Sequence, residues 1–137
     1  MDGEIFGSFT STAWKVQSNF YGSGESFLWR KRDGVEVFPW SQKNYFMQLC
    51  HEDLIGLGGG DAVTLNKCAG FGLALDSDFS RGASVPCATF DNPSLAQSND
   101  GIFEVYNMEV WTLTRCTQVT DAEELESHKL FLGSIQY

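Results

Sequence analysis

Apolar and polar positions alternate over short runs along most of this chain, which is the pattern of β-strands with one face turned inward. Residues 4–9, EIFGSF, predict a strand whose glycine marks a bulge or a close backbone approach. SFLWRK, 26–31, puts Phe27 and Trp29 on one face and Leu28 and Arg30 on the other. VEVF, 35–38, alternates cleanly, and Asp33-Gly34 between these two runs predicts a hairpin. YFMQLC, 45–50, is largely apolar, as in a strand buried on both sides. His51-Glu52-Asp53 then turns the chain into LIGLG, 54–58. FGLALD, 71–76, is a further strand, whereas AVTLNKCAG, 62–70, has no period and is a loop.

Pro86 and Pro93 exclude 83–95 from a central strand or a helix. FEVYNMEVWTLT, 103–114, predicts a long strand. Phe103 and Val105 share one parity and Met108, Val110 and Thr112 the other, so a bulge near Tyr106-Asn107 is needed to bring both sets to the core side. Helical patterning is confined to one turn near 16–20 and to the tail. In the tail, Thr120 to Glu123 fits a capping box and Gly133 is a stop. Short strands at about ten-residue spacing, with turn signals between them, predict a mainly β fold: a two-sheet antiparallel sandwich with a few short helices and a C-terminal helix.

Length and composition fit this picture. The chain has 137 residues, enough for one domain with its own core. Its 14 glycines against 3 prolines suit strands joined by tight turns. The net charge of −9 argues against nucleic acid or an anionic membrane as the principal partner, since both demand a cationic surface. Arg30, Lys31 and Arg32 form the dense basic cluster, which reads as a solvated strand end or turn. The opening residues carry no signal-peptide pattern, and no apolar run approaches the roughly 18 residues of a membrane span. Cysteines at 50, 68, 87 and 116 have neither CxxC nor zinc-finger spacing, so a reducing, cytoplasmic compartment with free thiols is expected.

No candidate for chemistry survives comparison with its structural alternative. GLGGGD, 56–61, lacks the Lys-Ser/Thr of a phosphate loop, and Asp61 would repel phosphate. It is read as a glycine turn that lets two backbones approach. Asp76, Asp78 and Ser80 have the early spacing of a calcium loop, but Arg81 stands where its glycine would be and Cys87 where its bidentate Glu would be. Cys87 with His51 would make a nucleophile and base only if the fold joined them, and Cys87 sits among apolar neighbours. Redox sensing by Cys87 or Cys50 is a minor alternative. Two histidines cannot build a metal site of several His ligands. Glu25, after Gly22-Ser23-Gly24, has no partner acid for acid–base work and is expected to accept backbone hydrogen bonds or pair with a base where a strand begins. No catalytic residue, cofactor or metal is therefore expected.

In order along the chain, GEIFGSF (3–9), Trp14, FYGSGESFLW (20–29), VFPW (37–40), LGGGD (57–61), FGLALDSDFSRGAS (71–84), CATFDNPSL (87–95) and FEVYNMEVW (103–111) resemble the TLDc domain of the oxidation-resistance protein family. The resemblance implies a two-sheet antiparallel sandwich. It also implies a non-enzymatic protein-binding role tied to oxidative-stress resistance, through contact with peripheral V1 subunits of the vacuolar proton pump (V-ATPase). Location would be cytoplasmic, at the surface of acidic organelles, without membrane insertion. On this reading Gly22, Gly24, Glu25, Gly58, Gly59, Gly60, Asp61 and Glu109 shape one end of the sandwich for structure or docking. The chain departs from the family in three ways: a helical and strand-forming segment expected upstream is missing, the loop after LGGGD is longer, and an acidic extension follows. The expected division is thus a TLDc domain at 1–116 lacking its usual N-terminal segment, and an acidic helical tail at 117–137. A structural subunit of a large cytoskeletal or ciliary assembly is the alternative function.

Overall fold

In a computed structural model, which describes residues 3–59, 70–112 and 120, the predicted runs give seven strands, and an eighth forms at Arg81–Ala83, where the sequence pattern predicts a turn and a punctuated extended segment. Strands β1 (Ile5–Phe9), β2 (Phe27–Lys31) and β3 (Val35–Pro39) form one antiparallel sheet in that order. β4 (Gln48–His51), β5 (Leu54–Leu57), β6 (Leu73–Asp76), β7 (Arg81–Ala83) and β8 (Ile102–Glu104) form a second. Residues Met1–Asn107 make one compact unit and Met108–Tyr137 another, and all eight strands belong to the first.

Two of the tight turns sit where the polar punctuation put them. Lys31 pairs with Val35, leaving Arg32-Asp33-Gly34 as the turn, closed by the Arg32 amide donating to the Gly34 carbonyl at 3.0 Å. His51 pairs with Leu54, leaving Glu52-Asp53 as a two-residue connection.

Packing follows from strand parity. Leu28 of β2, Leu57 of β5 and Leu73 of β6 point between the sheets and form a core with Met47, Cys87, Phe90 and Leu95. Phe6, Phe38, Trp40 and Phe103 pack against its margin. On the opposite face of the five-stranded sheet, Leu49, Leu54, Phe71 and Ala74 form a second buried cluster covered by Phe20. The central strands of that sheet are therefore largely buried on both faces, but the run expected to be a buried strand at 45–50 is one only from Gln48 onward, because Tyr45 and Phe46 are exposed in the loop before it.

Among the described residues, the buried Ser84, Thr89 and Asn92 side chains are matched to partners, whereas the Ser26 Oγ, Gln48 Oε1 and Ser98 Oγ are buried without one. The Ser84 hydroxyl donates to the Gly72 carbonyl at 2.5 Å and accepts from the Leu95 amide at 2.8 Å, tying the 94–95 segment to the start of β6. Buried Asn92 donates to the Val85 and Pro93 carbonyls and accepts from the Cys87 thiol.

Several expectations are corrected. The turn near 16–20 is not helical. It runs alongside β4, with the Gln17 amide donating to the Cys50 carbonyl at 3.0 Å and Tyr21 bridging to Gln48. Backbone donors there find a strand as partner, which removes any gain from a single helical turn. Among the described residues, the long strand expected at 103–114 shrinks to Ile102–Glu104. Its partner β7 has only three residues and begins directly after a turn, so the ladder ends with the Val105 amide donating to the Ser80 carbonyl at 2.9 Å. The few short helices are absent among the described residues apart from Thr120, which is helical. The remainder of the tail, and the loop at 62–69, lie outside the described residues.

Candidate functional site

Four of the glycines singled out in the sequence converge on one loop, Trp40 to Met47, between β3 and β4. Gly22 has φ +107, and a Cβ there would meet the Gln48 Oε1 at 2.6 Å and the Met47 Cβ at 3.1 Å. Gly58 has φ +74, and its Cβ would lie 2.6 Å from the Cys87 Sγ and 2.9 Å from the Phe90 ring. Both positions combine a left-handed backbone with no room for a side chain, so only glycine suits them. The Gly58 amide also donates to the Met47 carbonyl at 3.1 Å. A Cβ on Gly24 would fall inside the indole of Trp40.

The same loop is held from its other side by a closed hydrogen-bonded knot. The Gly59 amide donates to the buried Thr89 hydroxyl at 3.0 Å, and that hydroxyl donates to the Asn44 Oδ1 at 2.6 Å. The Asn44 Nδ2 donates back to the Gly59 carbonyl at 3.3 Å. The Trp40 indole N–H donates to the Asn44 carbonyl at 2.6 Å, while Ser41 joins the loop to Thr89 through its amide at 2.8 Å and to Ala88 through its hydroxyl at 2.6 Å. Lys43 reaches Asp91 at 2.6 Å on the surface. Held this way, the loop presents aromatic rings outward. Tyr45 is 76% exposed and lies against Trp40 with ring centroids 5.3 Å apart; Phe46 is 41% exposed and lies 4.8 Å from Phe20.

The remaining expected site residues do not all join this corner. Glu25 is exposed at its edge. Its amide donates to the Ser23 hydroxyl at 3.3 Å, which in turn bonds to the Ser11 hydroxyl, but its carboxylate has no hydrogen-bond or ion-pair partner among the described residues. The expected backbone or basic partner of that carboxylate is therefore not formed there, because exposure lets water solvate it. Glu109 belongs to the second unit, where it accepts from the Trp111 indole N–H at 3.0 Å. Gly60 and Asp61 lie outside the described residues. Sequence reasoning missed Asn44, Thr89 and Tyr45. Asn44 and Thr89 meet only through the fold, 45 residues apart. Tyr45 was read simply as part of a buried strand.

The two thiols among the described residues, Cys50 and Cys87, are not poised for reaction. Cys87 is 3% exposed, donates to the Asn92 Oδ1 at 3.0 Å, and burial pushes its thiol above the ordinary value of 9.0. Burial moves Cys50 in the same direction. A reactive cysteine needs the opposite shift. His51 is exposed, its Nε2 3.4 Å from the Ser18 carbonyl, beside a shallow depression of about 520 Å³ lined by Val16, Gln17, Ser18, His51, Glu52 and Asp53. In the turn after β6, the carboxylates serve the backbone. Asp76 accepts from the Ser80 and Arg81 amides, and Asp78 accepts from the Ser80 amide and hydroxyl. Those bonds, the Ser80 hydroxyl first, hold the Asp78 carboxyl below its ordinary range. Among the described residues there is no group of three or more His, Cys, Asp or Glu side chains able to hold a metal, and no helix long and apolar enough to cross a membrane.

The fold and corner define a two-sheet antiparallel β-sandwich with a glycine-lined loop scaffold. The family model for the TLDc domain matches residues 1–114, and the chain belongs to that family. It is 37% identical over 112 residues to "Oxidation resistance protein 1" of Yarrowia lipolytica, a match covering 80% of this chain and 44% of that protein. Over 112 residues it is also 37% identical to "Nuclear receptor coactivator 7" of Mus musculus, covering 82% of this chain and 11% of the relative. With "Oxidation resistance protein 1" of Rattus norvegicus it shares 36% identity over 110 residues, 80% of this chain and 12% of the relative. The chain thus spans less than half the length of each of these relatives.

Proposed function

We propose that this chain is a protein-binding module that performs no bond chemistry of its own. It contacts peripheral V1 subunits of the vacuolar proton pump on the cytoplasmic side of acidic organelles, regulates the pump, and thereby contributes to resistance against oxidative stress. The observation that carries the reading is the loop at 40–47, fixed by glycine contacts and the Asn44–Gly59–Thr89 knot while Tyr45 and Phe46 face outward. Rigid, exposed aromatic side chains supply contact area at low entropic cost, which is the character of binding hot spots. Membership of the TLDc family and relatives named for oxidation resistance support the same reading. Thiols pushed up by burial favour it over a redox-active protein.

The test is capture of purified V1 sector by the whole chain. Tyr45→Ala is expected to weaken binding by about 5- to 30-fold, the range of a hot-spot truncation worth about 1–2 kcal/mol. Glu25→Ala, at the exposed edge of the corner, is expected to weaken it by a smaller factor. Absence of any V1 enrichment with the folded chain rejects the reading, and co-purification with tubulin in its place transfers the module to a cytoskeletal assembly.

A further inference from the structure

Aspartate followed by glycine occurs at 2–3, 33–34 and 100–101. This dipeptide is among those most prone to backbone isomerisation, because glycine has no side chain to shield its amide nitrogen from the neighbouring carboxyl carbon. Asp2 lies outside the described residues, and the other two pairs stand in opposite surroundings. Asp33-Gly34 lies in the turn between β2 and β3, beyond the end of the ladder at the Lys31–Val35 pair. Both residues are exposed. Among the described residues the Asp33 carboxylate has no hydrogen-bond or ion-pair partner, and the Gly34 amide donates to no acceptor. A Cβ on Gly34 would meet nothing within 4 Å, so the nitrogen is open to the carboxyl group before it. The one bond closing this turn, from the Arg32 amide to the Gly34 carbonyl, joins two exposed residues.

Asp100-Gly101, just before β8, is locked at each of these points. The Asp100 Oδ1 accepts from the Ile102 amide at 3.0 Å, which holds the carboxyl group toward the residue beyond the glycine. Gly101 is buried with φ +78, and its carbonyl accepts from the Ser84 amide at 2.8 Å. A Cβ on Gly101 would stand 2.5 Å from the Ser84 carbonyl oxygen, so its backbone is packed against a neighbouring segment. Ring closure between an aspartate carboxyl carbon and the next nitrogen rotates the peptide plane that joins the two residues. At Asp100 that rotation breaks both hydrogen bonds and reopens the packing, so the reaction waits on local opening. At Asp33 it disturbs a single exposed bond.

We propose that Asp33 is a modification site, where the backbone isomerises spontaneously through a succinimide to isoaspartate and becomes a substrate for an isoaspartyl methyltransferase. The Gly34 nitrogen attacks the Asp33 Cγ. The N–Cγ bond forms, and one carboxyl oxygen departs as water with the amide proton and the carboxyl proton. Water then adds back to the ring. Opening at the Asp33 main-chain carbonyl carbon leaves the chain running through Cγ and frees an α-carboxylate; opening at Cγ restores aspartate. Water lost is water regained, so composition and charge are unchanged. The product lengthens the main chain by one carbon in a turn that lies outside the ladder, so the three-stranded sheet persists around it. The freed α-carboxylate is the group that the methyltransferase esterifies with a methyl from S-adenosylmethionine. The site is distinct from the loop at 40–47 and stands whether or not V1 is the partner there.

The test ages the full, folded chain at neutral pH and digests samples with trypsin, which puts the three pairs on separate peptides, 1–15, 33–43 and 82–115. Isoaspartate is quantified by methyl transfer from S-adenosylmethionine with an isoaspartyl methyltransferase and located by fragmentation in the mass spectrometer. Isoaspartate is expected to accumulate at 33 at least about tenfold faster than at 100, the factor that a modest cost of local opening imposes. In urea the two rates should converge, since the difference belongs to the fold. Gly34→Ala, at an open position whose backbone is not left-handed, should keep the thermal midpoint and slow formation at 33 by about tenfold or more, because the methyl group shields the nitrogen. Overturning results are equal rates at 33 and 100 in the folded chain, a difference that persists in urea, or a rate at 33 that Gly34→Ala leaves unchanged.

Discussion

The two sheets have similar strand chemistry and opposite surroundings. The central strands of the five-stranded sheet are largely apolar and largely buried on both faces: Leu57 and Leu73 face the other sheet, while Leu49, Leu54 and Ala74 are roofed by Phe71 and Phe20. The three-stranded sheet is mixed on its inner face, where Leu28, Phe6 and Phe38 reach the core beside Arg30 and Glu36, and mostly apolar on its outer face, which is partly exposed among the described residues. The roof of the larger sheet comes from connections, since the segment before β2 supplies Phe20 and the one before β6 supplies Phe71. Among the described residues nothing equivalent passes over Ile5, Val35 and Val37. Strand composition therefore does not decide burial in this molecule; the path of the loops does.

The comparison can be broken most directly within one sheet. Leu28→Ala is expected to lower stability by about 2–5 kcal/mol, through lost burial and the cavity left behind. Val37→Ala, on the neighbouring strand but the open side, should stay within about 0.5 kcal/mol of the parent. Denaturant midpoints measure both, and a similar cost for the two would mean that the outer face is covered after all.

Glycine substitutions under the two aromatic lids sharpen it further. A Cβ on Gly56 would lie 2.6 Å from the Phe71 ring, which is boxed into the second cluster. Gly56→Ala is therefore expected to cost about 1–3 kcal/mol by overpacking. On Gly7 the Cβ would meet the Trp29 indole at 3.0 Å, but that ring borders open space and can shift outward. Gly7→Ala should then cost less than about 1 kcal/mol, and the difference in thermal midpoints between the two variants reports how freely each lid can move.

The smallest effect concerns pH. Burial raises the Cys87 thiol, so the folded state holds its proton to higher pH than the unfolded chain. Its contribution to stability is complete below the ordinary thiol value of 9.0 and is lost as pH rises from there through the raised value. Urea midpoints measured under reducing conditions should fall across that window, and less steeply in Cys87→Ala, whose interior has no thiol to ionise. An identical slope in both proteins would show that Cys87 is not held in the dry core.

How much was legible in advance depended on the range of the interaction concerned. Seven of the eight strands announced themselves through local alternation or apolar runs, and the Asp33-Gly34 and Glu52-Asp53 turns through local chemistry, whereas β7 lies in a stretch that reads as a turn and a punctuated loop. Strand β8 was overestimated because its length was set by β7, whose three residues leave nothing further to pair with. In the corner, the glycines stood out by type, and Gly22 and Gly58 proved to occupy left-handed conformations. Their common target, the loop at 40–47, did not, since the contacts of Asn44 with Gly59 and Thr89 join residues far apart in the chain.

By itself, then, the amino-acid order determined where most of the strands and turns fall, that the chain is a mainly β sandwich, and through its ordered motifs that it is a TLDc domain. Tertiary structure decided which apolar faces are covered, which glycines meet the same loop, and that Tyr45 and Phe46 face outward while Cys87 does not. The physical reason is that hydrogen-bond periodicity and turn preferences act over a few residues, whereas burial is a property of whatever distant segment happens to lie across a surface.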